Sequence, residues 1–116
     1  KVLMGFRAID PYRNVWALPG GRILKHESPE DAVRRILAGI GLKAKIKCLV
    51  GVFPVRFPRH TLKRYDITLC YRSEWLAGET KPDSELVRLI WVSPKNLPTR
   101  TGGNYRKMIE RAFSQS

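Results

Sequence analysis

The chain predicts an α/β (α+β) fold, a mixed β-sheet sandwiched between helices. Three observations carry this reading. Strand-like and helix-like segments alternate in the order β-β-β-α-β-β-β-α. Ser28-Pro29-Glu30-Asp31 is a strong helix start. Tyr105, Met108, Ile109, Ala112 and Phe113 repeat at i, i+3, i+4, i+7 and i+8, which makes a second helix after Gly103. With 116 residues, the chain reads as a single domain spanning 1–116. At this size about 65% of the unfolded surface is buried, enough for one core.

Taken in order, Val2 to Arg7 reads as a strand and Val15 to Leu18 as a short second one. Asp10 to Asn14 between them is rich in turn residues. Gly20 to Ile23 reads as a brief third strand after a Pro-Gly-Gly bend. In the first helix Ser28 caps, Pro29 suits the first helical position, and two acids sit at the positive end of the dipole. Ala32, Val33, Ile36, Leu37 and Ile40 form its apolar stripe, and Gly39 and Gly41 end it. Lys45 to Phe57 is a long strand region whose second half Pro54 and Pro58 confine to an edge or a bend. Arg64 to Ser73 places Tyr65, Ile67, Leu69 and Tyr71 on one half-buried face. Gly78 to Glu85 is a polar loop, Leu86 to Val92 a strand, and Ser93 to Pro98 a helical turn.

Composition narrows the function. Apolar residues make up 43% of the chain, which excludes a disordered segment. No apolar run is long enough to span a bilayer, so no membrane partner is expected. The net charge is +12, from 22 Lys and Arg against 10 Asp and Glu. A field of that sign draws phosphates, nucleotides or nucleic acid, or else marks a solvated basic face. Cys48 and Cys70 lie in apolar runs and read as core residues of a reduced, cytoplasmic protein. Two histidines far apart, His26 and His60, do not make a structural zinc site. His26 reads as a solvated loop residue. His60 sits among Arg56, Arg59, Lys63 and Arg64, either a solvated basic loop or a nucleotide or nucleic-acid contact.

The most informative stretch is Leu18-Pro19-Gly20-Gly21-Arg22, followed by Glu27 and Arg35 in the spacing Gly21-x5-Glu27-x7-Arg35. A Gly-Gly corner lets backbone approach a phosphate closely, and a helix N-terminus favours anions. This spacing resembles the first two-thirds of the Nudix box, the signature of hydrolases that cut nucleoside diphosphates linked to another moiety. Pro-Gly-Gly-Arg-Ile-x-Lys-x-Glu, with Gly51-Val52-Phe53 and Tyr65, is most similar to the GDP-mannose mannosyl hydrolase branch. Glu85-x5-Trp91-Val92-Ser93-Pro94 resembles the family's later strand, where a glutamate often precedes Trp-Val.

The resemblance implies a Nudix-like fold and a nucleoside diphosphate sugar, such as GDP-mannose, as the small-molecule partner. It implies Arg7, Arg22 and Tyr65 as substrate-binding residues and a paired Glu27 and Arg35 fixing the loop to the helix; Glu85, the catalytic candidate, reads either as a surface loop acid or as a metal or base carboxylate like that of some family members. It also implies Mg²⁺, with the Gly20 carbonyl and Glu27 as ligands. After Arg35 the family continues Glu-U-x-Glu-Glu-x-Gly-U, U being bulky and apolar. Here the chain reads Ile36-Leu37-Ala38-Gly39-Ile40-Gly41-Leu42, one residue short and without a carboxylate until Asp66. Anchoring on Gly41-Leu42 instead puts Arg34 at the box arginine. Gly102 stands where the branch has a loop histidine. The alternative expectation is therefore a catalytically impaired module that binds nucleotide or RNA without cleaving it. Strand residues that precede the Lys1 position in the family are absent, and a homodimer is the expected cover for the exposed edge.

Overall fold

A computed structural model describes residues 1–9, 13–56 and 65–114 of the chain; the side chains of residues 55, 56 and 65 are not described. The elements are β1 (Val2–Arg7), β2 (Trp16–Ala17), α1 (Pro29–Gly39), β3 (Leu42–Arg56), β4 (Tyr65–Gly78), β5 (Leu86–Val92) and α2 (Gly103–Ser114). The class is mixed α+β, as the sequence predicts. The named strands divide into two antiparallel sheets, β2-β1-β5 and the ribbon β3-β4.

The predicted strand over Gly20 to Ile23 does not form. Its backbone groups are claimed by side chains instead of a ladder. The Arg22 carbonyl accepts from Arg35 Nη2 at 2.7 Å, and the Leu24 N–H donates to Glu27 Oε1 at 3.0 Å. A side-chain bond offers the backbone an alternative to sheet pairing, and here it wins.

Helix α1 starts where its cap dictates. Ser28 is extended (φ −75°, ψ 158°), and its hydroxyl accepts the Asp31 N–H at 3.1 Å. At its other end the Ile40 and Gly41 N–H groups bond back to the carbonyls of Leu37 and Ala38. Ile40, only 2% exposed, packs with Leu3 and Leu42 into a core cluster that Leu37 and Leu89 extend. This cluster joins α1, β1, β3 and β5.

The ribbon lies between the two helices. Tyr71 donates its hydroxyl to Glu30 on α1 at 2.7 Å. Its neighbour Arg72 donates to the Ala112 carbonyl on α2 at 3.2 Å and stacks over Phe113. Successive strand residues face opposite ways, so α1 and α2 cover opposite faces. Arg111, stacked over Phe53, adds a second cation–π contact between α2 and the ribbon. Both faces of β4 are therefore partly covered, which departs from the one-sided pattern expected of it. Ile67 departs furthest, at 74% exposed.

Cys70 is half-buried, but Cys48 is exposed and not a core residue as expected. The ladder shifts register between Ile46 and Cys48 and again between Leu49 and Gly51. Such bulges re-aim side chains, so the alternation of the flanking segments does not carry through Cys48.

Two glycines set how α1 meets the ribbon. Gly41 (φ 87°) and Gly78 (φ 95°) take left-handed backbone. A Cβ on Gly78 would collide with the Gly41 carbonyl oxygen, and one on Gly41 with that of Glu79. Gly78→Ala is expected to cost about 2 kcal/mol or more, from the left-handed conformation plus the clash. Urea unfolding measures it, and an unchanged midpoint would show that the two segments do not need this close approach.

Candidate functional site

The loop from Leu18 to Glu27 owes its shape to one arginine. Arg35, in the middle of α1, donates Nε to Glu27 Oε2 at 2.8 Å and Nη2 to Glu27 Oε1 at 3.1 Å. The same Nη2 reaches the Arg22 carbonyl at 2.7 Å. Glu27 Oε1 also accepts the Leu24 N–H, and the Glu27 N–H returns a bond to the Leu24 carbonyl at 3.1 Å. That tight turn holds exposed His26 at φ 67°. A planar guanidinium matched to a carboxylate gives directional bonds that a lysine would not. The Arg35 hydrogen bond, then the Leu24 N–H, hold the Glu27 carboxyl below its ordinary value. Arg35 is correspondingly raised by its bond to Glu27.

The two adjacent arginines have different partners. Arg35 holds Glu27, whereas Arg34 bonds Asp31 one turn earlier at 2.9 Å. Gly21 lies against the helix: a Cβ there would come within 3.1 Å of Ile36 Cδ1. A Cβ on Gly20 would meet nothing of the protein closer than the Leu18 carbonyl oxygen at 3.9 Å.

A shallow cleft of about 30 Å³ opens beside this loop, lined by Arg7, Gly20, Ile36, Ile40, Asp83 and Glu85 with Leu18, Pro19 and Leu86 behind them. Three of the residues singled out from sequence, Arg7, Gly20 and Glu85, thus meet in one place. Arg7 arrives there from the end of β1, where the β1-β5 ladder shifts register between Phe6 and Arg7. Arg22 is exposed on the same loop but is not one of the cleft-lining residues. The Tyr65 backbone pairs with Arg56, and its side chain, like His60 and the basic run around it, lies outside the described residues. Asp83 was not singled out from sequence; its signal was the Pro82-Asp83-Ser84 turn composition within a stretch taken as plain polar loop. A larger hollow of about 360 Å³ is lined by Trp75 and Trp91 among others, and it holds none of the candidate catalytic, substrate-binding or metal-binding residues.

Counted on from Arg35, the positions at which the family carries glutamates are Ile36, Gly39 and Ile40 here. Ile36 and Ile40 form the apolar wall of the cleft. No group of three His, Cys, Asp or Glu side chains converges among the described residues. The Glu27 oxygens are engaged by Arg35 and Leu24. This donor set does not fit a divalent ion held by helix carboxylates. Gly102 has no room for the side chain that was sought there, since a Cβ would come within 2.8 Å of Tyr105 Cδ2. Burial pushes the Tyr105 phenol up, while the charge of Arg7 and a hydrogen bond with Asn104 act the other way.

Comparison with known proteins bears on the family and the fold. A family profile for the NUDIX domain matches residues 1–112. The chain is 33% identical over 113 residues to the ADP-ribose pyrophosphatase of Methanocaldococcus jannaschii, covering 95% of this chain and 64% of that one. It is 33% identical over 97 residues to a Bacillus subtilis protein provisionally named 8-oxo-dGTP diphosphatase, covering 82% and 61%. The chain thus spans about three-fifths of the length of these curated relatives. Its fold matches the crystal structure of a MutT protein from Methanosarcina mazei with a TM-score of 0.80 at 19% identity, over 97% of this chain and 83% of that one.

The lowered Glu27 carboxyl has a consequence for acid stability. The unfolded chain binds this proton at the ordinary value of 4.5, and the folded chain only below it. The contribution is therefore fully present above 4.5 and is lost as pH falls through the lower folded value. Thermal unfolding followed across that window should fall less steeply in Glu27→Gln than in the parent, most of the loss being already present at neutral pH. Parallel curves for the two proteins would mean that the pair does not anchor the loop.

Proposed function

The chain belongs to the NUDIX family, and from that premise we propose that it hydrolyses a nucleoside diphosphate derivative at the cleft between Gly20 and Glu85. The convergence of Arg7, the Gly20 backbone and Glu85 on one cleft carries the proposal. On this reading Arg7 is the cation for phosphate oxygens, Gly20 the backbone they approach and Glu85 the carboxylate, and their shared lining of one small cleft supports it. Both curated relatives bear names of enzymes whose substrates carry adjacent phosphates. The finer reading, a sugar nucleotide such as GDP-mannose, rests on Pro19-Gly20-Gly21-Arg22-Ile23 and the residues that follow it.

Each residue then has a chemical task. Cleavage of a sugar nucleotide builds negative charge on the departing diphosphate. Arg7 in the cleft, and Arg22 on the exposed part of the same loop as Gly20, supply positive charge for the departing diphosphate. The cleft, about 30 Å³, has room for one water. With that water beside Glu85, the carboxylate takes its proton as the oxygen attacks the sugar C1. The bond between C1 and the phosphate oxygen breaks, and the nucleoside diphosphate leaves as free sugar forms. Glu27 acts as the anchor of the loop and not as a ligand. In the family Mg²⁺ offsets phosphate charge; the Ile36 and Ile40 side chains that line this cleft offer it no ligand. Unpaired Cys48 and Cys70 suit a reducing, cytoplasmic setting.

That same apolar wall favours a second reading, a module that holds nucleotide or RNA without cleaving it. Calorimetry with GDP in EDTA separates the two: tight metal-free binding without turnover supports the binding module. Affinity for RNA that falls steeply with salt would assign the +12 charge to a nucleic-acid partner.

The direct test is release of free sugar or nucleotide from a panel of NDP-sugars and dinucleotides, with Mg²⁺ supplied. No turnover on any of them removes the hydrolase reading. Given turnover, Gly20→Ala is expected to leave stability within about 0.5 kcal/mol, since its Cβ meets no protein atom closer than 3.9 Å. Its kcat/KM should fall about tenfold or more, because the methyl sits where the diphosphate approaches. A drop in stability with activity kept would reverse the assignment of this glycine.

A further inference from the structure

The carboxylate arm of the cleft is built by a residue with no task in the mechanism above. Asp83 Oδ1 accepts two backbone bonds, from the Glu85 N–H at 2.9 Å and the Leu86 N–H at 2.6 Å. The Asp83 N–H donates to the Leu86 carbonyl at 3.0 Å. An aspartate that accepts from the amides two and three residues ahead closes a turn with its own side chain. Both ends of this turn are fixed elsewhere. The Glu85 carbonyl accepts the Ala8 N–H at 2.8 Å, directly after Arg7. Leu86 stands opposite Arg7 in the ladder, is 7% exposed, and packs so closely over Gly5 that a Cβ there would come within 2.7 Å of it. Leu86 is thus the immobile end, and the turn closed by Asp83 sets the direction in which Glu85 leaves it.

We propose that Asp83 is the positioning residue of the cleft, holding the Glu85 carboxylate against Arg7 and Gly20. Glu85's chemical role in this proposal rests on the hydrolase reading; the geometry of the turn does not. What the turn uses of Asp83 is an acceptor oxygen at one place. An asparagine offers the same oxygen without the charge, whereas an alanine offers none.

The experiment compares Asp83→Ala with Asp83→Asn by two readouts. Amide hydrogen exchange at Glu85 and Leu86 reports the turn. Exchange there is expected to be about tenfold faster in Asp83→Ala and to return to parental protection in Asp83→Asn. Steady-state kinetics on whichever nucleotide the parent cleaves report the consequence. Asp83→Ala is expected to lose about 10- to 100-fold in kcat with KM little changed, and Asp83→Asn to recover most of it. Unchanged exchange in Asp83→Ala overturns the proposal whatever the kinetics. So does an Asp83→Asn protein with a protected turn and the full loss in kcat, since the charge of Asp83 would then act directly. An Asp83→Ala protein with a loosened turn and parental kcat overturns it too. A parent without turnover, whose exchange responds as expected, overturns the hydrolase reading and leaves the placement of Glu85 by Asp83 supported.

Discussion

The fork from Arg35 to Glu27 and the Arg22 carbonyl is the constraint on which the candidate site depends. Exposed ion pairs usually contribute little, because two long side chains lose freedom in high dielectric. This one differs in what it holds. One guanidinium bonds both carboxylate oxygens and a backbone carbonyl, and the carboxylate bonds a backbone N–H in turn. The fork therefore fixes the path of the chain between Arg22 and Glu27 and does not merely attract one charge to another. With that path fixed, Gly21 lies on Ile36 and Gly20 faces the cleft. Arg34, one residue earlier, makes an ordinary surface pair with Asp31 at 2.9 Å and positions nothing beyond its own turn.

The two sides of the cleft are held by different means. The glycine side is a loop without a ladder, and side-chain bonds to α1 substitute for one. The carboxylate side hangs on the β1-β5 ladder, where a register shift beside Arg7 turns that side chain toward the cleft. Helix α1 serves both sides, through Arg35 toward the loop and through Ile36 and Ile40 toward the cleft. Ile40 also belongs to the core cluster with Leu3 and Leu42. The cleft wall is in this sense the outer surface of the core, and a change at Ile40 acts on folding and on the site together.

How much of this was legible in the sequence depended on whether the cause was local. The start of α1 was, because Ser28, Pro29 and the acids after them act within one turn. The helix stripe of α2 was, because its period is local too. The absent strand at Gly20 to Ile23 was not: glycine, arginine and isoleucine after a bend are compatible with a strand, and only a distant arginine taking the Arg22 carbonyl removes it. The exposure of Cys48 was hidden for a similar reason, since bulges on either side of it depend on pairing with β4. The choice between Arg34 and Arg35 could not be made by spacing alone. Both lie on α1, and only the position of Glu27 across the loop distinguishes them. Asp83 was readable in principle as a turn former, but its effect on Glu85 needs the fixed end at Leu86, which only the sheet provides.

The proton chemistry of the cleft follows from what fills its other positions. A side chain at Gly102 would run into the Tyr105 ring, and the α1 face opposite Gly20 is isoleucine. Of the residues lining the cleft, Asp83 and Glu85 are the carboxylates. Asp83 already spends one oxygen on two backbone amides, so Glu85 is the better placed of the two to take a proton from water. On the proposed hydrolase reading, the base is then carried by the loop before β5, through Glu85. The helix keeps a structural task, holding the glycine loop through Arg35. The strand end keeps the charge, through Arg7. Such a division separates loop folding from proton transfer: substitutions on α1 act first on where Gly20 lies, and substitutions before β5 act first on the carboxylate that faces it.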